Sequence, residues 1–212
     1  MTDKIQQNRL KPLWKGQQRR IGLTGGIGSG KSSVSKFLQF KKNIPIFDTD
    51  LYSREALAPG KKLTIKVIEH FGKRISNPEL FDNVEINRKA LAKIIFENKK
   101  ERAWLEKLIH PIVRKRLDED LKKNRQKSIV VIMVPLLFET GLSALCSETW
   151  LVYCTVNQQY ERIMIRDNIP MNEAIRKVNA QWSLEKKKKL ADIVINNSGK
   201  MNEWQNYIEN LL

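Results

Sequence analysis

Cysteine is scarce in this chain, acids are outnumbered by bases, and no long hydrophobic run occurs. Each shortage excludes something. Cys146 and Cys154 are the two cysteines, too few for a disulfide framework and without metal-site spacing. A reducing compartment, the cytoplasm, is the natural setting. The lack of any run of about 18 apolar residues excludes a membrane-spanning helix. Residues 1–19 lack the apolar core of a secretory signal and read as a disordered basic tail. No repeat, helix-turn-helix, zinc finger or aromatic RNA-binding signature is present. What remains is 212 residues, 41% hydrophobic and 29% charged, enough for one globular domain with inserted subdomains.

The acid deficit leaves a formal charge of +16, from 39 basic and 23 acidic residues. Two readings compete for it: nucleic-acid binding, or a small substrate carrying several phosphates. The bases are spread widely, at Lys61–Lys62, Lys99–Arg102, Arg114–Arg116, Lys122–Lys127 and Lys186–Lys189. The last run reads as a solvated helix face.

Five short apolar runs predict strands, at Arg20–Leu23, Ile44–Phe47, Ser128–Val134, Trp150–Val156 and Asp192–Ile195. Ser128–Val134 is continuously apolar and β-branched, as a strand buried on both faces of a parallel sheet would be. Helical spacing fills the gaps: Val34, Phe37 and Leu38 mark a helix from Gly30 to about Phe40, and Trp204, Tyr207 and Ile208 mark a terminal one. Leu105, Leu108, Ile112 and Leu117 mark another, in which Pro111 predicts a kink or break near His110. Strands alternating with helices give an α/β fold with a mainly parallel sheet. Leu51–Arg125 shows no strand and reads as an inserted helical subdomain.

Gly25, Gly30, Lys31 and Ser32 meet the P-loop pattern Gly-x4-Gly-Lys-Ser, between a strand and a helix. Glycines let backbone N–H groups curl around phosphate oxygens without a Cβ in the way. The following helix N-terminus adds partial positive charge. Lys31 would reach the β- and γ-phosphates, and the Ser32 hydroxyl would coordinate Mg²⁺. The GTPase guanine signature is absent, since Asn98–Glu101 ends in the wrong acid. Asp48 and Asp50 follow the second strand, at the ligand edge of a parallel sheet. One can cap the next helix while the other orients or deprotonates an acceptor hydroxyl.

With these residues in place, the chain from Arg20 onward resembles the dephospho-coenzyme A kinase family. Six motifs carry the resemblance, in this order: GLTGGIGSGK at Gly22–Lys31, DTDLYSR at Asp48–Arg54, LIHPIVR at Leu108–Arg114, VPLLFE at Val134–Glu139, RIMIRD at Arg162–Asp167 and INNSG at Ile195–Gly199. The resemblance implies transfer of the γ-phosphoryl group of ATP to the ribose 3′-hydroxyl of dephospho-coenzyme A, with Mg²⁺. No nucleic acid, membrane or obligatory protein partner is implied. Asp50, Lys31 and Arg166 would be catalytic, with Asp50 activating the acceptor hydroxyl. ATP would meet Gly26, Ile27, Gly28, Ser29, Gly30, Lys31, Ser32 and Ser33, with Arg162 and Arg166 from a lid and Asn197 and Gly199 beside adenine. Arg54, His110, Arg114, Pro135, Leu136 and Glu139 would join Asp50 around the acceptor. Glu139 would bond to substrate or pair with a lid arginine, and Lys187 matches a basic family position. The implied fold is a P-loop kinase domain over 20–212. It has a five-stranded parallel sheet flanked by helices, an acceptor-binding insertion near 61–125 and a lid near 157–185. Two departures stand out. Met133 occupies a position where many members carry an acid, and Ser33 replaces the more usual Thr.

Overall fold

The computed structural model describes Trp14, residues 16–75 and residues 85–212. Most of the expected tail, residues 1–13 and 15, lies outside the described residues. The chain divides into two compact units.

The first unit, residues 1–48 and 124–212, is built on five parallel strands. They are β1 (Arg19–Gly25), β2 (Ile46–Asp48), β3 (Ile129–Met133), β4 (Glu148–Tyr153) and β5 (Ile193–Asn196), in spatial order β2-β3-β1-β4-β5. The expected five-stranded parallel sheet is therefore present. The two central neighbours of β1 are matched residue for residue, with Leu23 opposite Met133 on one side and Trp150 on the other. β1 begins one residue earlier than the apolar run suggests. Gln18, just before it, is 8% exposed and donates through its side-chain amide to the Asn124 and Lys127 carbonyls at 2.8 and 3.0 Å. Gln18, inside the segment expected to be tail, is thus held in place by two backbone acceptors.

Helix α1 (Lys31–Lys42) packs Val34 and Leu38 against the sheet with Ile21, Leu23 and Trp150. The helices α6 (Val156–Asp167), α7 (Met171–Asn179), α8 (Leu184–Lys188) and α9 (Met201–Glu209) follow β4 and β5. Thr155 and Gln158 form a reciprocal capping box that starts α6. Trp204 of α9 is 3% exposed and meets Phe37 of α1 edge-on, at 5.5 Å between centroids.

The second unit is Thr49–Lys123. It begins directly after β2 rather than near residue 61. Its helices are α2 (Thr49–Ala56), α3 (Lys62–Phe71), α4 (Arg88–Glu97) and α5 (Lys99–Lys123). Ala56, Leu63, Val67, Phe71, Leu91 and Leu105 form its apolar core. Tyr52 of α2 donates to Asp120 of α5 at 2.5 Å; burial and this bond push the phenol's pKa upward. Of the kink or break expected near His110, the break does not occur: α5 runs through Pro111 without interruption. A mid-helix proline costs about 3 kcal/mol. Leu105, Val113, Leu117 and Leu121 are all buried along α5, and each is worth roughly 1.5–3 kcal/mol. Burial outweighs the lost hydrogen bond.

Candidate active site

Between the end of β1 at Gly25 and the start of α1 at Lys31, the chain turns through two left-handed glycines, Gly28 at φ 75° and Gly30 at φ 95°. A Cβ on Gly30 would collide with the Asn197 side-chain amide, so geometry and space both demand glycine there. The first turn of α1 has no acidic residue, and Gly30 supplies no side-chain cap. That turn therefore offers amide N–H groups to an external anion, at the end of the helix where partial positive charge accumulates. Lys31 and Ser32 occupy the first two helical positions, with Ser32 and Ser33 exposed.

The loop's other face is held by side chains from the rest of the unit. Asn197 donates to the Ser29 carbonyl at 2.9 Å. Gln159 of α6 donates to the Ile27 carbonyl at 2.6 Å, and the Ile27 N–H donates to Gln181, after α7, at 3.0 Å. Ile27 is thus pinned through both its N–H and its carbonyl. Cys154 lies 1% exposed with its Sγ 3.8 Å from the Gly28 carbonyl, a weak donor contact. Arg162 donates to the carbonyls of Asn197, Gly28 and Ser29 at 2.9, 3.4 and 3.5 Å. Its guanidinium ties the loop to the 196–199 turn, where Gln158 also donates to the Ser198 carbonyl at 2.8 Å. Gly199 is exposed at that turn.

Arg166, one turn further along α6, is 58% exposed and pairs with its neighbour Asp167, through bonds of 2.7 and 3.1 Å. Lys177 adds a third bond to Asp167 at 3.0 Å. The Arg166 bond chiefly, helped by Lys177, holds the Asp167 carboxyl down at about 2.

At the exit of β3 a second polar arrangement appears. Lys187 of α8, expected on a solvated face, is 0% exposed. Its ammonium bonds to the Pro135 carbonyl at 2.7 Å and the Glu139 carboxylate at 2.9 Å. Glu139 therefore pairs with a lysine and not with a lid arginine. The Thr24 hydroxyl, just before the P-loop, donates to the same Pro135 carbonyl at 3.2 Å. Leu136 is half-buried, and Leu137 is core.

In the helical unit, Asp50 lies exposed in the first turn of α2, where a carboxylate is favoured by the helix dipole. Arg54 follows one turn later on the same helix and is exposed. His110 and Arg114 are exposed on α5, four residues apart and so on one face. Arg114 pairs with Asp118 at 3.4 Å.

Magnesium suits what the first unit offers. It binds few protein groups and keeps water and phosphate oxygens around it. Among the described residues no group of three or more His, Cys, Asp or Glu could form a closed metal cage. Two donors of this kind are the Ser32 hydroxyl, at the start of α1, and Asp48, the last residue of β2. Asp48 stands directly opposite Met133 in the β2–β3 register. The acid missing at Met133 is thus matched by one on the neighbouring strand, at the same edge.

The residues that sequence reasoning overlooked are Gln159, Gln181 and the buried state of Lys187. Gln159 and Gln181 belong to no motif and act on backbone. Lys187 did leave a trace: it falls three residues after Leu184, the other buried residue of α8. It therefore takes an apolar-face position.

The dephospho-CoA kinase (CoaE) family model matches residues 19–203. The chain belongs to the dephospho-CoA kinase family. A relative named dephospho-CoA kinase from Prochlorococcus marinus is 46% identical over 205 residues, 97% of each chain. Among solved structures, the Thermus thermophilus protein TT1252 aligns with a TM-score of 0.79 and 28% identity, covering 92% of this chain and 97% of that one. The dephospho-CoA kinase from Campylobacter jejuni shares the fold at a TM-score of 0.65 and 23% identity, covering 91% and 94%. As a kinase of this family the chain is a phosphotransferase, with ATP as co-substrate. No described helix is long and apolar enough to cross a membrane.

Proposed function

We propose that this kinase transfers the γ-phosphoryl group of ATP to the ribose 3′-hydroxyl of dephospho-coenzyme A, in the cytoplasm, giving coenzyme A and ADP. The observation that carries this reading is an uncapped P-loop helix in a chain whose family match spans residues 19–203. The loop amides, Lys31 and the N-terminus of α1 hold the β- and γ-phosphates. Ser32, with Asp48 at the sheet edge, would hold Mg²⁺ through oxygen and water, and the ion would neutralise developing phosphate charge.

Asp50 accepts the proton of the acceptor 3′-hydroxyl as its oxygen bonds to the γ-phosphorus. The bond from that phosphorus to the β-phosphate oxygen breaks, and ADP leaves. Arg54, His110 and Arg114 bind the acceptor, whose pocket Pro135, Leu136 and Glu139 shape. Residues 157–185 act as the lid. Arg166 reaches the transferring group only by giving up Asp167, whereas Arg162 serves by fixing the loop. Asn197 and Gly199 lie beside adenine. Two polyphosphate ligands account for the surplus of positive charge without any nucleic acid.

The test is mass-spectrometric detection of coenzyme A from dephospho-coenzyme A, ATP and Mg²⁺, with AMP and shikimate as control acceptors. Product from dephospho-coenzyme A alone is expected. ATP hydrolysis stimulated by DNA or RNA, with no small acceptor phosphorylated, would overturn the proposal.

A further inference from the structure

Lys187 is buried more deeply than a charged side chain ordinarily is. Isolated ammonium groups are not kept in protein interiors unless they are paired and hydrogen-bonded. Here both requirements are met by one short segment, the exit of β3. Its ammonium bonds to the Pro135 carbonyl at 2.7 Å and to Glu139 Oε1 at 2.9 Å. Glu139 Oε1 also takes the Trp182 N–H at 3.4 Å. The other oxygen, Glu139 Oε2, is buried with no hydrogen-bond partner. A carboxylate pinned through one oxygen and left unsatisfied at the other is a prepared acceptor, because such an oxygen is costly until a donor arrives. Pro135 also receives the Thr24 hydroxyl at 3.2 Å, and Thr24 is the residue before Gly25. The Lys187–Glu139 pair therefore sits at the strand ends from which the phosphate loop also leaves, where parallel sheets bind ligands.

We infer that Lys187 is a positioning residue for the acceptor site: it locks Pro135 and Glu139 so that Glu139 Oε2 is presented to a hydroxyl or amino donor of the acceptor nucleoside. This rests on the acceptor proposed above. A lysine that merely stabilised the fold would leave substrate affinities alone when replaced. One that presents Glu139 separates the two substrates, because the ATP loop is held by other side chains, namely Asn197, Gln159, Gln181 and Arg162.

The experiment compares wild type with Lys187→Met and Glu139→Gln. Steady-state kinetics are run against each substrate, and calorimetric ATP binding is measured without acceptor. Both variants are expected to raise KM for dephospho-coenzyme A by about 10–100-fold, with ATP affinity changed less than about threefold. The double variant should be little worse than either single one, as expected for groups acting as one unit. Should Lys187→Met fail to fold, Glu139→Gln, which keeps shape and Oε1, decides by the same acceptor KM. Folded variants with an unchanged acceptor KM, or with ATP and acceptor affinity falling together, overturn the inference alone. A wild-type enzyme that does not phosphorylate dephospho-coenzyme A overturns the proposed function and this inference with it.

Discussion

Around the P-loop, polar side chains bond to main chain; along α5 they bond mostly to one another. Arg162, Asn197 and Gln159 each donate to a carbonyl of the loop, and Gln181 accepts one of its amides. On α5, Arg102 pairs with Glu106 and Arg114 with Asp118, each four residues apart. The first arrangement fixes a backbone shape before any ligand binds. The second fixes little, since an exposed pair of this kind contributes only about 0.3–0.5 kcal/mol and its members are readily recruited elsewhere. Under the proposed function, phosphate binding would thus depend on preorganisation, and acceptor binding in the helical unit on side chains released from their pairs.

The largest test of that contrast lies at its junction in the chain. Asp50→Ala should lower turnover by roughly 10²–10⁴ while calorimetric ATP binding stays intact; undiminished turnover would remove Asp50 from the mechanism. Arg162→Ala attacks the preorganised side. A small displacement of loop carbonyls should reduce kcat/KM for ATP by about 10²-fold, and an unchanged value would show that Asn197 and the two glutamines suffice. Gly30→Ala should destabilise the protein by roughly 1–3 kcal/mol, read as a lower Tm, because alanine must adopt φ 95° against Asn197. Arg114→Ala, on the other side, should change stability by less than about 0.5 kcal/mol yet raise KM for the acceptor. A large stability loss would place Arg114 with the preorganised residues instead. The smallest effect concerns Asp167, an exception because the core unit here pairs charge with charge. Its carboxyl is lowered to about 2, below the ordinary value of about 3.9. The stabilisation is complete above that ordinary value and is lost as pH falls through about 2. Asp167→Asn should flatten the acid limb of a stability–pH profile between those values.

The same contrast explains what could be read from the sequence. The P-loop was legible because its shape requires particular residue types, glycine at positive φ and a lysine at the helix start. The five strands were legible from β-branched runs, Ser128–Val134 above all. Lys187 was not: a run of four lysines reads as solvated, and only folding brings it to Glu139 across the intervening chain. Pro111 left kink and break both open, and four buried side chains along α5 decide against the break. The helical unit was legible from the strandless Leu51–Arg125, close to its start at Thr49, whereas the bound near 61 implied by the resemblance came late, since Asp48-Thr49-Asp50 serves one strand and one helix without a linker between them.

Cys154 lies behind the loop, its thiol against the Gly28 carbonyl, and burial pushes its pKa upward. An alkylating reagent could reach it only when the packing of Gly28, Leu151 and Leu184 over it opens, so labelling at this one sulfur would act as a clock for such opening. ATP should slow that clock. Cys146, buried behind Gly22 and pushed up to about 12, would keep separate time for the opening of the sheet itself.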